Sequence, residues 1–118
     1  MAGLRILVCG GRDFTNKAAV WQALDRLHAK RPIAAIIQGT SRGADTLAAE
    51  WGWERGITVC SFPADWDQYG RRAGTIRNQR MLDEGKPDGV VAFPGGVGTA
   101  DMTRRARAAG LTVWEPIR

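Results

Sequence analysis

The chain has 118 residues, one domain's worth and enough to bury a core without disulfides or a structural metal. An apolar fraction of 44% and a charged fraction of 25% are those of an ordinary globular domain, and the lack of any long apolar run excludes a chain that crosses a membrane as a helix. A net charge of +5, carried mainly by arginine, favours anionic partners, although the same charge also suits a plain solvated surface.

Short apolar runs alternate with helical patterns from end to end. Leu4–Cys9 reads as a first strand. Thr15–Lys30 reads as a helix, because Val20, Leu24 and Leu27 recur at helical spacing behind a cap at Thr15. Ile33–Gln38 is a second strand. Ser41–Arg55 is a second helix, in which Ala44, Leu47, Ala48 and Trp51 share a face and Ser41 serves as cap. Ile57–Phe62 is a third strand, and the polar stretch Pro63–Arg72 is the one long loop. Ala73–Glu84 suits a helix of weak periodicity. Gly89–Phe93 is a fourth strand, Gly98–Ala109 a helix that Gly110 is placed to end, and Leu111–Trp114 the last strand.

This alternation implies parallel strands, and near-continuous apolar strands fit a sheet covered on both faces. The expected fold is α/β: a Rossmann-like three-layer sandwich of about five parallel strands, with order 3-2-1-4-5 by analogy with doubly wound folds. No repeat, low-complexity tract or linker interrupts it, so residues 1–118 are expected to form one domain. Cys9 and Cys60 fall inside expected strands as buried free thiols, and no signal-peptide pattern precedes the first strand. A reducing, cytoplasmic setting is the expectation.

Glycine is the compositional outlier, with 15 residues. In this architecture ligands bind at the carboxyl ends of the strands, where strand order reverses. Three unusual segments fall on that edge: Gly10-Gly11-Arg12-Asp13, Gly39-Thr40-Ser41-Arg42-Gly43-Ala44-Asp45 and Pro94-Gly95-Gly96-Val97-Gly98-Thr99. A phosphate held by backbone N–H groups needs the main chain close, with no Cβ in the way, and the helix that follows adds partial positive charge. Arg12 and Arg42 are placed to add charge-assisted bonds. The first two segments suit a tight turn or an ordinary helix cap equally well. In the third, the glycines at 95, 96 and 98 exceed what one turn requires, so it reads as a phosphate loop. It is neither a Walker A nor a G-x-G-x-x-G sequence, so triphosphate hydrolysis is not implied.

Trp66 and Tyr69, in the long loop, either stack on a base or cover the edge of the core. Arg77 faces the cleft or the solvent, while Met81, four residues on, packs inward. The only histidine, His28, lies mid-helix without a ligand motif, and the two cysteines lack zinc spacing. No metal site, no cofactor and no histidine-based triad are therefore expected.

The segments V-C-G-G-R-D-F at 8–14, G-T-S-R-G-A-D at 39–45, P-A-D-W at 63–66, A-G-T-I-R-N-Q-R-M at 73–81 and P-G-G-V-G-T at 94–99 occur in order over nearly the whole chain. Together they resemble the SLOG superfamily, and within it the small YspA/YpsA-related family. That superfamily includes the Lonely Guy enzymes, which cleave the N-glycosidic bond of nucleoside monophosphates, and the DNA-processing protein DprA. The resemblance implies the same fold and a nucleotide-derived ligand. Lonely Guy enzymes carry P-G-G-x-G-T-x-x-E and R-K-x-x-M. Arg77-Asn78-Gln79-Arg80-Met81 resembles the second, which implies a functional arginine at Arg77. The first matches through Thr99, but Met102 stands where the pattern has glutamate. Asp101 is one residue earlier, about 100° around the helix. Asp13, Asp45 and Asp101 are the carboxylates that such chemistry has to draw on.

The resulting reading is a domain that binds a nucleotide-like small molecule, as sensor or accessory protein. Its ligand residues are Gly10, Gly11, Arg12, Asp13, Gly39, Arg42, Gly43, Asp45, Trp66, Arg77, Asn78, Pro94, Gly95, Gly96, Gly98 and Thr99. The alternative is a nucleotide N-glycosidase of phosphoribohydrolase type, with Arg77 and Asp101 as catalytic residues. A second alternative is nucleic-acid binding in the manner of DprA. No membrane partner is expected, and self-association stays open.

Overall fold

The apolar runs become the strands of one sheet in the computed structural model, which describes residues 3–117. In chain order the elements are β1 (Leu4–Cys9), α1 (Lys17–Lys30), β2 (Ile33–Gln38), α2 (Ala44–Glu54), β3 (Thr58–Ser61), α3 (Trp66–Tyr69), α4 (Ala73–Asp83), β4 (Gly89–Ala92), α5 (Val97–Ala108) and β5 (Val113–Trp114). Every strand pair is parallel and the order is β3-β2-β1-β4-β5, as expected. Order reverses at β1, which pairs with β2 on one side and β4 on the other. The topological switch point therefore lies at the carboxyl ends of β1 and its neighbours.

Successive side chains of β1 serve two cores. Ile6 and Val8 join Val20, Leu24, Trp51 and Phe93 on the face covered by α1 and α2. Leu7 and Cys9 join Met81 of α4 and Met102 and Ala106 of α5 on the other. Burial on both faces is why the strands read as unbroken apolar runs. The α1–α2 pair is pinned where the wholly buried Trp51 donates its indole N–H to Asp25 Oδ1 at 2.9 Å. Arg55 holds the same carboxylate from above. His28 is structural: its Nδ1 accepts the Ile33 N–H at 2.9 Å and its ring stands edge-on to Trp51.

Several boundaries differ from the sequence reading, each for a local reason. Helix α1 is capped by Asn16, whose Oδ1 accepts the Ala19 N–H at 3.0 Å, and not by Thr15. Helix α2 begins at Ala44 behind Gly43, and Ser41 does not cap it; Asp45 within its first turn accepts the Ser41 N–H instead. The long loop is partly ordered. Asp65 caps the single turn α3, and a 3-10 turn over Gly70–Arg72 leads into α4. Strands β3 and β5 are shorter than expected, as edge strands paired on one side only. Cys60, on the edge strand β3, is half-buried rather than buried. Gly110, at φ 83°, follows the end of α5 as anticipated. Among the described residues, no helix is long and apolar enough to cross a membrane.

Candidate functional site

Three loops meet at the carboxyl edge of the sheet through the backbone of Gly11. Its N–H donates to Pro94 O at 2.9 Å, and its carbonyl accepts from Ala44 N–H at 3.3 Å and Phe14 N–H at 3.2 Å. Neighbouring glycines make this approach possible. A Cβ at Gly10 would collide with Ala44 and Phe93. One at Gly43, which sits at φ 82°, would strike the carbonyls of Gly11 and Arg12. One at Gly95 would strike Thr99 and Gly11. A cavity of about 430 Å³ opens above this junction.

Helix α5 starts at the cavity wall. Gly96 is its N-cap, no side chain caps it, and its first turn contains no acid. Gly96, Val97, Gly98 and Thr99 all line the cavity. A Cβ on Gly96 or Gly98 would meet nothing within 4 Å, so these two glycines leave space beside the backbone and are not demanded by packing. The unsatisfied N–H groups of a helix start, and their partial positive charge, thus face open volume.

Arg12 and Arg77 line the same cavity. Arg77 of α4 is half-buried. Its Nη1 donates to Gly39 O and its Nε to Asn78 Oδ1 at 3.0 Å. Burial lowers its pKa from the usual arginine value, against the pull of Asp45 in the other direction. Arg12 lies over the Trp66 ring at 5.7 Å. Trp66 in turn rests beside Gly74, where a Cβ would come within 3.5 Å of the indole. Asn78 is buried and spends its amide N–H groups on Gly98 O at 3.2 Å and Asp101 Oδ2 at 3.0 Å. It therefore ties Arg77 to the first turns of α5.

The three candidate carboxylates have different fates. Asp13 is exposed and pairs with Arg42 at 3.1 Å. Asp101 accepts from Asn78, Arg104 and Arg105. Burial pulls its pKa upward, but the hydrogen bonds from Asn78 and Arg105 and the charges of Arg105 and Arg104 outweigh this and hold it below the usual carboxylate range. Asp45 is 7% exposed and lines the cavity. Burial pushes its pKa up to about 6, with the Ser41 N–H bond and the Arg77 charge opposing. Cys9 also lines the cavity, but burial, followed by the charges of Asp45 and Glu115, drives its thiol up to about 12, so it is no nucleophile near neutrality.

Of the residues singled out in the sequence, the cavity gathers Gly10, Gly11, Arg12, Asp45, Trp66, Arg77, Asn78, Gly96, Gly98, Thr99 and Asp101. Gly39 and Arg42 line an adjoining cavity of about 410 Å³. Pro94 and Gly95 face a groove on the other side of the loop. Asp13 and Gly43 line none of these three; Gly43 serves the loop junction. The cavity adds Arg71, Gly74, Thr75 and Met102. Gly74 and Thr75 fall within the 73–81 segment and Met102 stands at the glutamate position, whereas Arg71 carried no signal beyond its charge. Met102, 1% exposed, packs in the α4–α5 core.

A family model described as "YspA, cpYpsA-related SLOG family" matches residues 4–69. The chain is 38% identical over 117 residues to the Gene 61 protein of Mycobacterium phage D29, a match covering 92% of this chain and 93% of that one. Among solved structures, DNA processing protein A (DprA) of Streptococcus pneumoniae superimposes with a TM-score of 0.53 at 15% identity, over 92% of this chain. The match spans 57% of that longer chain, and the likeness is one of fold.

The raised pKa of Asp45 has a consequence for stability. The folded protein keeps this carboxyl protonated up to about pH 6, whereas the unfolded chain releases the proton near 3.8. Its favourable contribution is complete below pH 3.8 and is lost as pH rises through 6. At pH 7 the buried charge costs on the order of 2–3 kcal/mol. Asp45→Asn should therefore gain stability relative to the wild type, by about 2 kcal/mol, as pH is raised from 4 to 7. Urea unfolding across that range measures it; a difference independent of pH would mean that Asp45 is not desolvated.

Proposed function

Because the chain belongs to the YspA, cpYpsA-related SLOG family, we propose that it binds a nucleotide, or a phosphate ligand derived from one, in the cavity at the carboxyl edge of the sheet. One observation carries this reading: the uncapped, acid-free start of α5 shares one cavity with Arg12 and Arg77. Donors and cations line the same volume, where Asp101 is taken up by Asn78, Arg104 and Arg105 and the buried Asp45 offsets only part of the arginine charge, so a phosphate completes the arrangement. The volume lies within the range of small-molecule sites. Trp66, with Arg12 on its ring, supplies an aromatic face at the mouth for a base.

The role that fits best is a sensor or accessory protein. Met102 occupies the place of the glutamate in the Lonely Guy pattern, and the carboxylate of Asp101 is already spent on Asn78, Arg104 and Arg105. Gly96→Val places a branched side chain in the ligand's space while meeting no protein atom at its Cβ. Titration calorimetry with nucleoside 5′-monophosphates should show binding by the wild type and at least a tenfold loss in the variant, with the thermal midpoint nearly unchanged. Undiminished binding would remove the loop from the site.

A second reading, cleavage of the nucleotide N-glycosidic bond by water, is favoured by one feature only. Asp45 is a buried carboxyl in the cavity, with a pKa of about 6 that suits acid–base work near neutrality. Release of free base from nucleoside monophosphates, followed by chromatography, separates the two. Binding without more than trace release is the expected result. Robust turnover that disappears in Asp45→Asn would make the protein an enzyme and Asp45 its catalytic carboxylate.

A further inference from the structure

We infer that the adjoining cavity is a second phosphate subsite, and that the ligand is a nucleotide carrying phosphate on both sides of one sugar. The inference rests on the reading of the main cavity as a nucleotide site. The second cavity, about 410 Å³, is walled by Gly39, Thr40, Ser41 and Arg42 and shares Arg12, Trp66 and Arg77 with the first. Guanidinium groups from the loop after β1, the loop after β2 and helix α4 therefore line one small space. Among the described residues, the only carboxylate paired with any of the three is Asp13, which holds Arg42 from an exposed position. That contact is 75% and 93% exposed on its two sides, so it yields readily to a better anion. Asp13 acts as a stand-in for ligand charge.

The spacing restricts the ligand. One subsite lies at the end of β4 and the other at the end of β2, with β1 between them. Two strand spacings put the anions roughly 10 Å apart. A contiguous diphosphate, with both phosphorus atoms on one bridging oxygen, is too compact to reach both. Phosphates attached to the 5′ and 3′ oxygens of one ribose are separated by six bonds across the sugar, against two in a diphosphate, and so come much closer to this span. Their outer oxygens reach toward the two subsites, and the sugar passes beneath Arg12 and Trp66. The 3′ group comes from either of two sources: the monoester of a nucleoside 3′,5′-bisphosphate or the diester of a 5′-phosphorylated dinucleotide.

Calorimetry tests this with adenosine, guanosine, cytidine and uridine 5′-monophosphates. Each is compared with its 3′,5′-bisphosphate, its 5′-diphosphate and the matching 5′-phosphorylated dinucleotide. For the preferred base, the bisphosphate or the dinucleotide should bind at least tenfold more tightly than the monophosphate, and the one that does so identifies the source. The 5′-diphosphate should gain less than threefold. Arg42→Ala should bring the tighter ligand down to the monophosphate's affinity, and Asp13→Ala should strengthen it two- to fivefold by freeing Arg42. If the monophosphate binds and neither 3′-phosphorylated ligand binds more tightly, the second subsite is refuted while the main site stands. Equal weakening of all ligands by Arg42→Ala refutes it too. If no nucleotide binds, the reading of the main cavity and this inference fall together.

Discussion

Gly11 offers its N–H to Pro94 and its carbonyl to Ala44, and through those bonds the loops after β1, β2 and β4 become one surface. Each bond contributes only about 1 kcal/mol of net stability. Their larger effect is geometric, because they set where α2 and α5 begin. Gly10, Gly43 and Gly95 exist to permit the approach, since a side chain at any of them would drive the loops apart. The cavity is what remains above the junction once it has closed.

Charge is distributed around that cavity unevenly. Of the acids near it, Asp101 is held by Asn78 and two arginines and Asp13 by Arg42, while Asp45 keeps its proton only below about pH 6 and above that offsets part of the Arg77 charge. The start of α5 and the side chains of Arg12 and Arg77 line this cavity with more positive charge than the single buried Asp45 offsets. The same network stiffens the site. Arg105 joins Asp101 to Gln79, and Asn78 reaches the Gly98 carbonyl, so α4 and α5 are locked together around the arginine that α4 carries. A binding site whose donors are held in place before the ligand arrives loses less entropy on binding.

The sheet was legible because burial on both faces leaves a strong mark, an apolar run with no alternation, as in Ile33–Gln38. Boundaries were less so, because caps depend on which of several adjacent polar residues reaches the helix. Asn16 rather than Thr15 does so for α1, whereas no side chain caps α2 and Ser41 gives its N–H to Asp45 instead. In the site, the sequence shows where glycine is abundant but not why. Gly95 and Gly96 are neighbours, yet one is fixed by contact with Thr99 and Gly11 and the other faces open space. Nor does residue type reveal that Asp45 is desolvated while Asp13 is not, since both follow a glycine-rich strand end. That distinction belongs to tertiary burial, as does the split of Arg42 and Arg77 between one cavity and two.

The central claim is that the start of α5 and Arg77 receive a phosphate. The most direct measurement is a nitrogen–proton NMR titration of the protein with a nucleoside 5′-monophosphate and, separately, with the same nucleoside lacking phosphate. The account predicts that the nucleotide shifts the amide signals of Val97, Gly98 and Thr99 and the Arg77 Nε–H signal more than any others. It predicts that the nucleoside leaves these four nearly in place. Shifts of equal size with both ligands at these positions, or nucleotide-induced shifts confined to other parts of the chain, would contradict it.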